Sequence, residues 1–292
     1  GALIKLNTNE NPYPPSPTLA KSVLEETKRL HLYPEPLSLK LRGLIAAKHD
    51  LQESQVIVGN GSDDLLNLCV RAFSDTQRSV GMLNPSYSLY PTLTSLQRSN
   101  LCLVEFDNDQ FDLPVEKMLD CNVNLFFLTN PHAPSGVFFD LNTISDIAHE
   151  MNAILVVDEA YADFANDSAI RLLSRNDNII VTRTFSKSYS LAGSRVGYAI
   201  SSSQIIEILD SVREVYNLDR MSQAAAYAAL ADNQYFEDCR AKILYERQKA
   251  FSFFSSLGWK TLRSHANFIF TEPTKKNGES SKEVAQSLFY FL

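Results

Sequence analysis

Ala153-Ile154-Leu155-Val156-Val157-Asp158-Glu159-Ala160-Tyr161 is an unbroken apolar run of strand length, closed by two acids and a tyrosine. A strand that is apolar at every position is buried on both faces, as in a parallel sheet covered by helices. In open α/β sheets ligands collect beyond the carboxyl ends of such strands. Asp158 and Tyr161 are therefore expected at a functional edge rather than in a solvated loop.

The same pattern repeats outward. Apolar runs of strand length recur at 55–58, 79–83, 101–105, 124–129, 178–183 and 196–200. Helical patterns separate several of them. Ser62-Asp63-Asp64 opens a helix whose Leu65, Leu66, Leu68, Cys69 and Phe73 follow a 3.6-residue period, and 141–151 reads as a second crossover helix. Strands alternating with helices predict an α/β fold with a mostly parallel central sheet flanked by helices. From about 219 to 257 the pattern is one long helical stretch. Beyond it, 268–270 reads as a strand and 280–291 as a helix of a smaller α+β domain, joined by a polar, mobile loop over 272–281.

A second apolar run, Ile179-Ile180-Val181, leads through Thr184-Phe185-Ser186-Lys187 into the small-residue turn Leu191-Ala192-Gly193-Ser194-Arg195. An amine leaving a buried strand close to another cation loses basicity and becomes a nucleophile towards an aldehyde. The hydroxyls of Thr184 and Ser186 and the guanidinium of Arg195 suit phosphate oxygens. A lysine that condenses with an aldehyde, a phosphate cup and a strand-end carboxylate together match pyridoxal phosphate. That cofactor needs a carboxylate at its pyridine nitrogen, a role for Asp158, and a donor to its 3-oxygen, a role for Tyr161. Gly59-Asn60-Gly61-Ser62 precedes the first crossover helix, so the amides of Gly61, Ser62 and Asp63 are expected to complete the cup. Taken alone, a glycine turn or an Asp-Glu strand end is ordinary; the order of the motifs carries the signal.

Composition sets limits. The 292 residues are 45% hydrophobic, enough for one large domain and part of another, and the net charge of −7 argues against a nucleic-acid partner. No apolar run is long enough to span a bilayer, and the first five residues lack a signal-peptide pattern. Cys69, Cys102, Cys121 and Cys239 show no Cys-x-x-Cys spacing and are expected to be reduced in a cytoplasmic protein. The five histidines show no metal-ligand spacing, and no metal is expected.

Leu6-Asn7-Thr8-Asn9-Glu10-Asn11-Pro12, Tyr33-Pro34-Glu35-Pro36, Gly59-Asn60-Gly61-Ser62-Asp63-Asp64, Asn84-Pro85-Ser86-Tyr87 and Asn130-Pro131-His132-Ala133-Pro134-Ser135-Gly136 join the Asp158 and Lys187 segments in one ordered set. In this set the chain resembles the class I/II aminotransferases of fold type I, most closely their histidinol-phosphate branch. The resemblance implies a pyridoxal-phosphate enzyme moving an amino group from L-histidinol phosphate to 2-oxoglutarate. Aromatic amino acid donors, a threonine-phosphate decarboxylase or a catalytically silent cofactor-binding domain stay as alternatives. It implies that Tyr87 stacks on the cofactor ring and that Tyr33 reaches the cofactor phosphate of a neighbouring subunit, so that the working unit is a homodimer. Asn9, Asn11 and Tyr13 resemble the family's substrate mouth. It also implies a large domain over 30–225, with a small domain formed by 1–29 and 226–292.

Two departures from the family pattern stand out. Ala133 replaces an asparagine that in the family donates to the 3-oxygen, so Tyr161 is expected to make that contact alone or with Asn130. The chain is also expected to be truncated, because the family continues past the position of Leu292 into a segment bearing substrate-binding arginines.

Overall fold

The computed structural model describes residues 5–274 and 281–291. Seven strands, β1 (Val56–Gly59), β2 (Val80–Asn84), β3 (Leu101–Glu105), β4 (Leu125–Thr129), β5 (Ile154–Asp158), β6 (Ile179–Thr184) and β7 (Gly197–Ile200), form one sheet in the order β1-β7-β6-β5-β4-β2-β3. β3, β2, β4, β5 and β6 run parallel, and β7 is antiparallel to both its neighbours. The α/β reading therefore holds.

The described residues also form helices α1 (Leu19–Thr27), α2 (Leu39–Lys48), α3 (Ser62–Phe73), α4 (Leu89–Leu96), α5 (Val115–Asp120), α6 (Leu141–Glu150), α7 (Ser203–Val212), α8 (Arg220–Ala231), α9 (Asn233–Ser256) and α10 (Ser281–Phe291), and a two-stranded sheet. Alternation along each strand divides the core between the two faces. Leu155 and Val157 of β5, with Ile179 and Val181 of β6, pack against Met118 of α5 and Leu141, Ile144 and Ile147 of α6. Val156 and Ile180 face the other way, towards Leu65 and Cys69 of α3, Tyr90 of α4 and Ile206 and Leu209 of α7. The period carries past the apolar run. Asp158 and its register partner Thr182 point to the α3/α4 face, whereas Glu159 and Arg183 belong to the opposite one.

Two glycines let β7 and α3 close on each other. A Cβ on Gly197 would lie 2.4 Å from the Ser62 amide nitrogen. Gly61, at φ +83°, caps α3 in a conformation that L side chains rarely adopt, and a Cβ there would lie 2.5 Å from Arg195 Nη2.

Three expectations are corrected. The helical stretch over 219–257 is two helices, because Asp232 leaves helical geometry between α8 and α9 and its carboxylate accepts from the Tyr235 amide. Residues 268–270 are not a strand. Pairing instead joins β8 (Lys260–Thr261) to β9 (Thr271–Glu272), while Phe268 edges onto Tyr161 at 5.0 Å and Phe270 onto Phe111 at 5.9 Å. The cysteines are not all free. β3 and the end of α5 bring Cys102 and Cys121 together across 19 residues, with Cα atoms 6.7 Å apart, and the two are disulfide-bonded; Cys69 and Cys239 are free and buried. Residues 1–4 of the amino-terminal start and 275–280 of the expected mobile loop lie outside the described residues. Among the described residues, no helix is long and apolar enough to cross a membrane.

Candidate active site

A cavity of about 300 Å³ opens at the carboxyl ends of β4, β5 and β6, where Thr129, Asp158 and Thr184 end their strands. Its floor is Asp158, 3% exposed. Tyr90 donates to Asp158 Oδ2 at 2.8 Å and Thr182 to Oδ1 at 3.1 Å. Burial pushes the Asp158 carboxyl up to about 6, while the Tyr90 and Thr182 hydroxyls pull it down. Asp158 is thus mostly ionised at neutral pH. Sequence reasoning missed both donors. Thr182 is the same-face partner of Asp158 in β6, so the strand period held that signal; Tyr90, in the first turn of α4, had none.

Lys187 enters from the turn after β6. Its Nζ donates to the Thr8 carbonyl at 2.7 Å and lies 5.7 Å from the Tyr161 ring centroid. Burial lowers its pKa, Arg195 and Lys5 add to the effect, and Glu10 and Asp63 oppose it. Residues 8–11 strap the site. Asn9 donates to the Tyr161 hydroxyl at 3.1 Å, and Asn11 Nδ2 donates to the carbonyls of Lys187 at 3.0 Å and Ser188 at 3.2 Å. Burial raises the Tyr161 phenol and the Asn9 bond lowers it. Thr8 and Glu10, from the amino-terminal motif, line the cavity.

The far end is built to meet an anion. Ser62 and Asp63 begin α3, whose first-turn amides have no intrahelical acceptor. Arg195 reaches Ser186 Oγ at 3.3 Å and pairs with Asp63 Oδ2 at 2.9 Å. The Gly61 amide is already engaged, donating to the Gly59 carbonyl at 2.9 Å, so its expected place in the cup is not free. Thr184 lines the cavity, though its hydroxyl accepts from the Ser186 amide at 3.1 Å. Tyr87 forms one wall, with its hydroxyl bonded to Asp63 Oδ1 at 3.2 Å and its phenol pushed up to about 12 by burial and by Asp63. A cavity lined by a buried carboxylate, an amine, tyrosines and cationic and amide donors fits a phosphorylated pyridine aldehyde.

Other expected residues stand elsewhere. Asn130 is fully buried and absent from the cavity lining. Its Oδ1 accepts from the Phe139 amide at 2.8 Å and its Nδ2 donates to the Phe139 carbonyl at 3.4 Å, which removes it from the 3-oxygen contact. Ala133 does line the cavity. Tyr33 is 76% exposed and stacks on Tyr216 at 4.4 Å, outside the cavity lining. Tyr13 sits under Lys242 at 5.2 Å.

The family described as aminotransferase class I and II matches residues 2–290. Histidinol-phosphate aminotransferase of Citrifermentans bemidjiense is 42% identical over 94% of this chain and 78% of its own length. The protein of that name from Geotalea daltonii is 41% identical over 99% of this chain and 82% of its own length. Among solved structures, histidinol-phosphate aminotransferase from Sinorhizobium meliloti in complex with pyridoxal-5'-phosphate superposes with a TM-score of 0.85 at 28% identity. That match covers 92% of this chain and 75% of that one. Aspartate aminotransferase from Thermus thermophilus with maleate shares the fold, with a TM-score of 0.81 at 20% identity over 91% of this chain and 76% of that one.

Proposed function

The chain belongs to the aminotransferase class I and II family, and from that premise we propose that it moves the amino group of L-histidinol phosphate to 2-oxoglutarate with pyridoxal 5'-phosphate as cofactor. The observation that carries this reading is that Lys187, Asp158 and Arg195 open on one cavity, in a chain 42% identical to a relative named for that reaction. Bound pyridoxal phosphate supplies an aldehyde for the donor's amine and a ring that takes up the electrons left at its α-carbon.

The residues do the rest. Lys187 Nζ, made less basic by burial, is the amine that would hold the aldehyde at rest; once displaced from it by the donor's amine, the free Nζ would take the donor's α-proton and return it one position along the same face. Asp158, kept ionised by Tyr90 and Thr182, would hold the proton on the ring nitrogen. Tyr161, oriented by Asn9, would donate to the ring oxygen, and Tyr87 would hold the ring from one side. The amides of Ser62 and Asp63, with Ser186, Thr184 and Arg195, hold the phosphate. Asn9 and Tyr13 border the substrate mouth, and Asn11 acts on the backbone beneath Lys187.

We assign 30–225 to a large domain, and 1–29 with 226–292 to a small one. A homodimer in which the exposed Tyr33 reaches the neighbouring site agrees with its 76% exposure. A cytoplasmic setting, which we propose, would oppose the Cys102–Cys121 bond through its reducing pool.

Acceptor dependence tests the reaction class. Glutamate should form only when L-histidinol phosphate and 2-oxoglutarate are both present. Repeated turnover without any 2-oxo acid, beyond one equivalent of product per bound cofactor, or carbon dioxide release from threonine phosphate, would sink the reading.

A further inference from the structure

Arg183 lies on the face of β6 away from Asp158, buried to 6% exposure. Its Nε donates to Glu159 Oε2 at 2.8 Å, Nη1 to Asp163 Oδ1 at 2.6 Å and Nη2 to Ser168 Oγ at 2.9 Å. Two carboxylates thus converge on one guanidinium. The other oxygen of Asp163, Oδ2, accepts from the Ser188 hydroxyl. Arg240 of α9 donates to the Asp163 carbonyl and fixes that segment from the far side.

Ser188 is therefore gripped twice. Its hydroxyl is tied to Asp163 and its carbonyl accepts from Asn11 at 3.2 Å, while the carbonyl of Lys187 accepts from the same Asn11 at 3.0 Å. A lysine side chain is long and flexible, so its amine is only as well placed as the backbone it leaves from. We propose that Ser188, held through Asp163 by Arg183, is a positioning residue that sets the backbone beneath Lys187 and so keeps its amine in the desolvated cavity. The chain's two working groups are joined beneath the site, since Arg183 binds the residue after Asp158 and, through Asp163, the residue after Lys187.

This inference rests on Lys187 as the reactive amine, but not on any particular substrate. The groups facing that amine are Lys5 and Glu10 of the amino-terminal strap, Asp63 of α3, Arg195 and Tyr161. None of them is altered by the variants used here.

The test compares Ser188→Ala with Ser168→Ala. Each removes one hydroxyl bonded into this network, so each should lower Tm similarly, by about 2–4 °C. In the cofactor-free full chain, Lys187 is labelled with an amine-reactive reagent across a pH series and the labelled peptide is quantified by mass spectrometry. Ser188→Ala should label about fivefold more slowly at pH 8, with its midpoint shifted to higher pH as the amine regains solvent. Ser168→Ala should label as the unaltered chain does. Equal labelling of Ser188→Ala and the unaltered chain, or an equal slowing in both variants, would overturn the proposal. Labelling needs no turnover, so a failure of amino transfer with every donor would count against the proposed reaction and leave this result to be judged alone.

Discussion

Tyr90 donates its phenolic hydrogen to Asp158 Oδ2 at 2.8 Å from a fully buried position. The bond ties helix α4 to the end of β5 and sets how readily Asp158 carries charge. Burial alone would hold that carboxyl protonated to a higher pH.

Tyr90→Phe removes the donor and keeps the ring that stacks on Phe127 at 4.5 Å. A hydrogen bond to a charged group is worth about 1.5–3 kcal/mol, so the proton affinity of Asp158 should rise by about tenfold or more. The acid limb of kcat against pH should move up by about one pH unit, and kcat at pH 7 should fall severalfold. A limb that stays in place would mean the bond is structural only.

The same carboxyl makes cofactor-free stability depend on pH in a defined direction. Its folded pKa of about 6 lies above the ordinary 3.8. The folded chain therefore binds the proton more tightly than the unfolded chain, and the stability so gained is full below about pH 4 and lost as pH rises through 6. Urea unfolding of the cofactor-free chain and of Asp158→Asn, compared from pH 4 to 7, should show the unaltered chain losing on the order of 2–3 kcal/mol relative to the variant. A flat difference would contradict the burial argument.

Arg195 pairs with Asp63 where the two side chains are 44% and 41% exposed. Such a pair contributes about 0–1 kcal/mol to folding. Arg195→Ala should leave the cofactor-free Tm nearly unchanged, yet weaken pyridoxal phosphate binding by about tenfold or more. Titration of cofactor into both proteins measures this, and excess cofactor should restore activity. An unchanged affinity would remove Arg195 from the phosphate end.

Ala133 lines the cavity without a donor, and Asn130 is committed to Phe139. Ala133→Asn adds a donor beside the expected ring oxygen and should lower the pH midpoint of the bound cofactor's absorbance titration. An unmoved midpoint would mean that Tyr161 already suffices.

Much of this was readable from residue patterns. Each strand of the large sheet lies within a residue of its apolar run, because buried strands leave a continuous signal; only the edge strand β3 is largely uncovered among them. Asp158 and Lys187 stood out because strand ends in a parallel sheet expose chemistry at one edge. Two of the failures come from contacts between residues apart along the chain. Asn130 stood near the expected cofactor edge in sequence, but the Phe139 backbone nine residues on satisfies its amide. Cys102 and Cys121 meet only because β3 and α5 pack together. The break at Asp232 was local but polar, and a capping aspartate between two helical runs resembles a surface residue until its acceptor role is seen. Tyr90 and Arg183 were hidden in the opposite way, as polar members of apolar-looking elements.

The most direct measurement is the absorbance spectrum of the purified chain loaded with pyridoxal phosphate, before and after L-histidinol phosphate is added without any 2-oxo acid. The band of the lysine-bound cofactor should fall while that of the amine form rises, and Lys187→Ala should show neither change. A band that forms in the unaltered chain but does not respond to this donor would contradict the proposed donor.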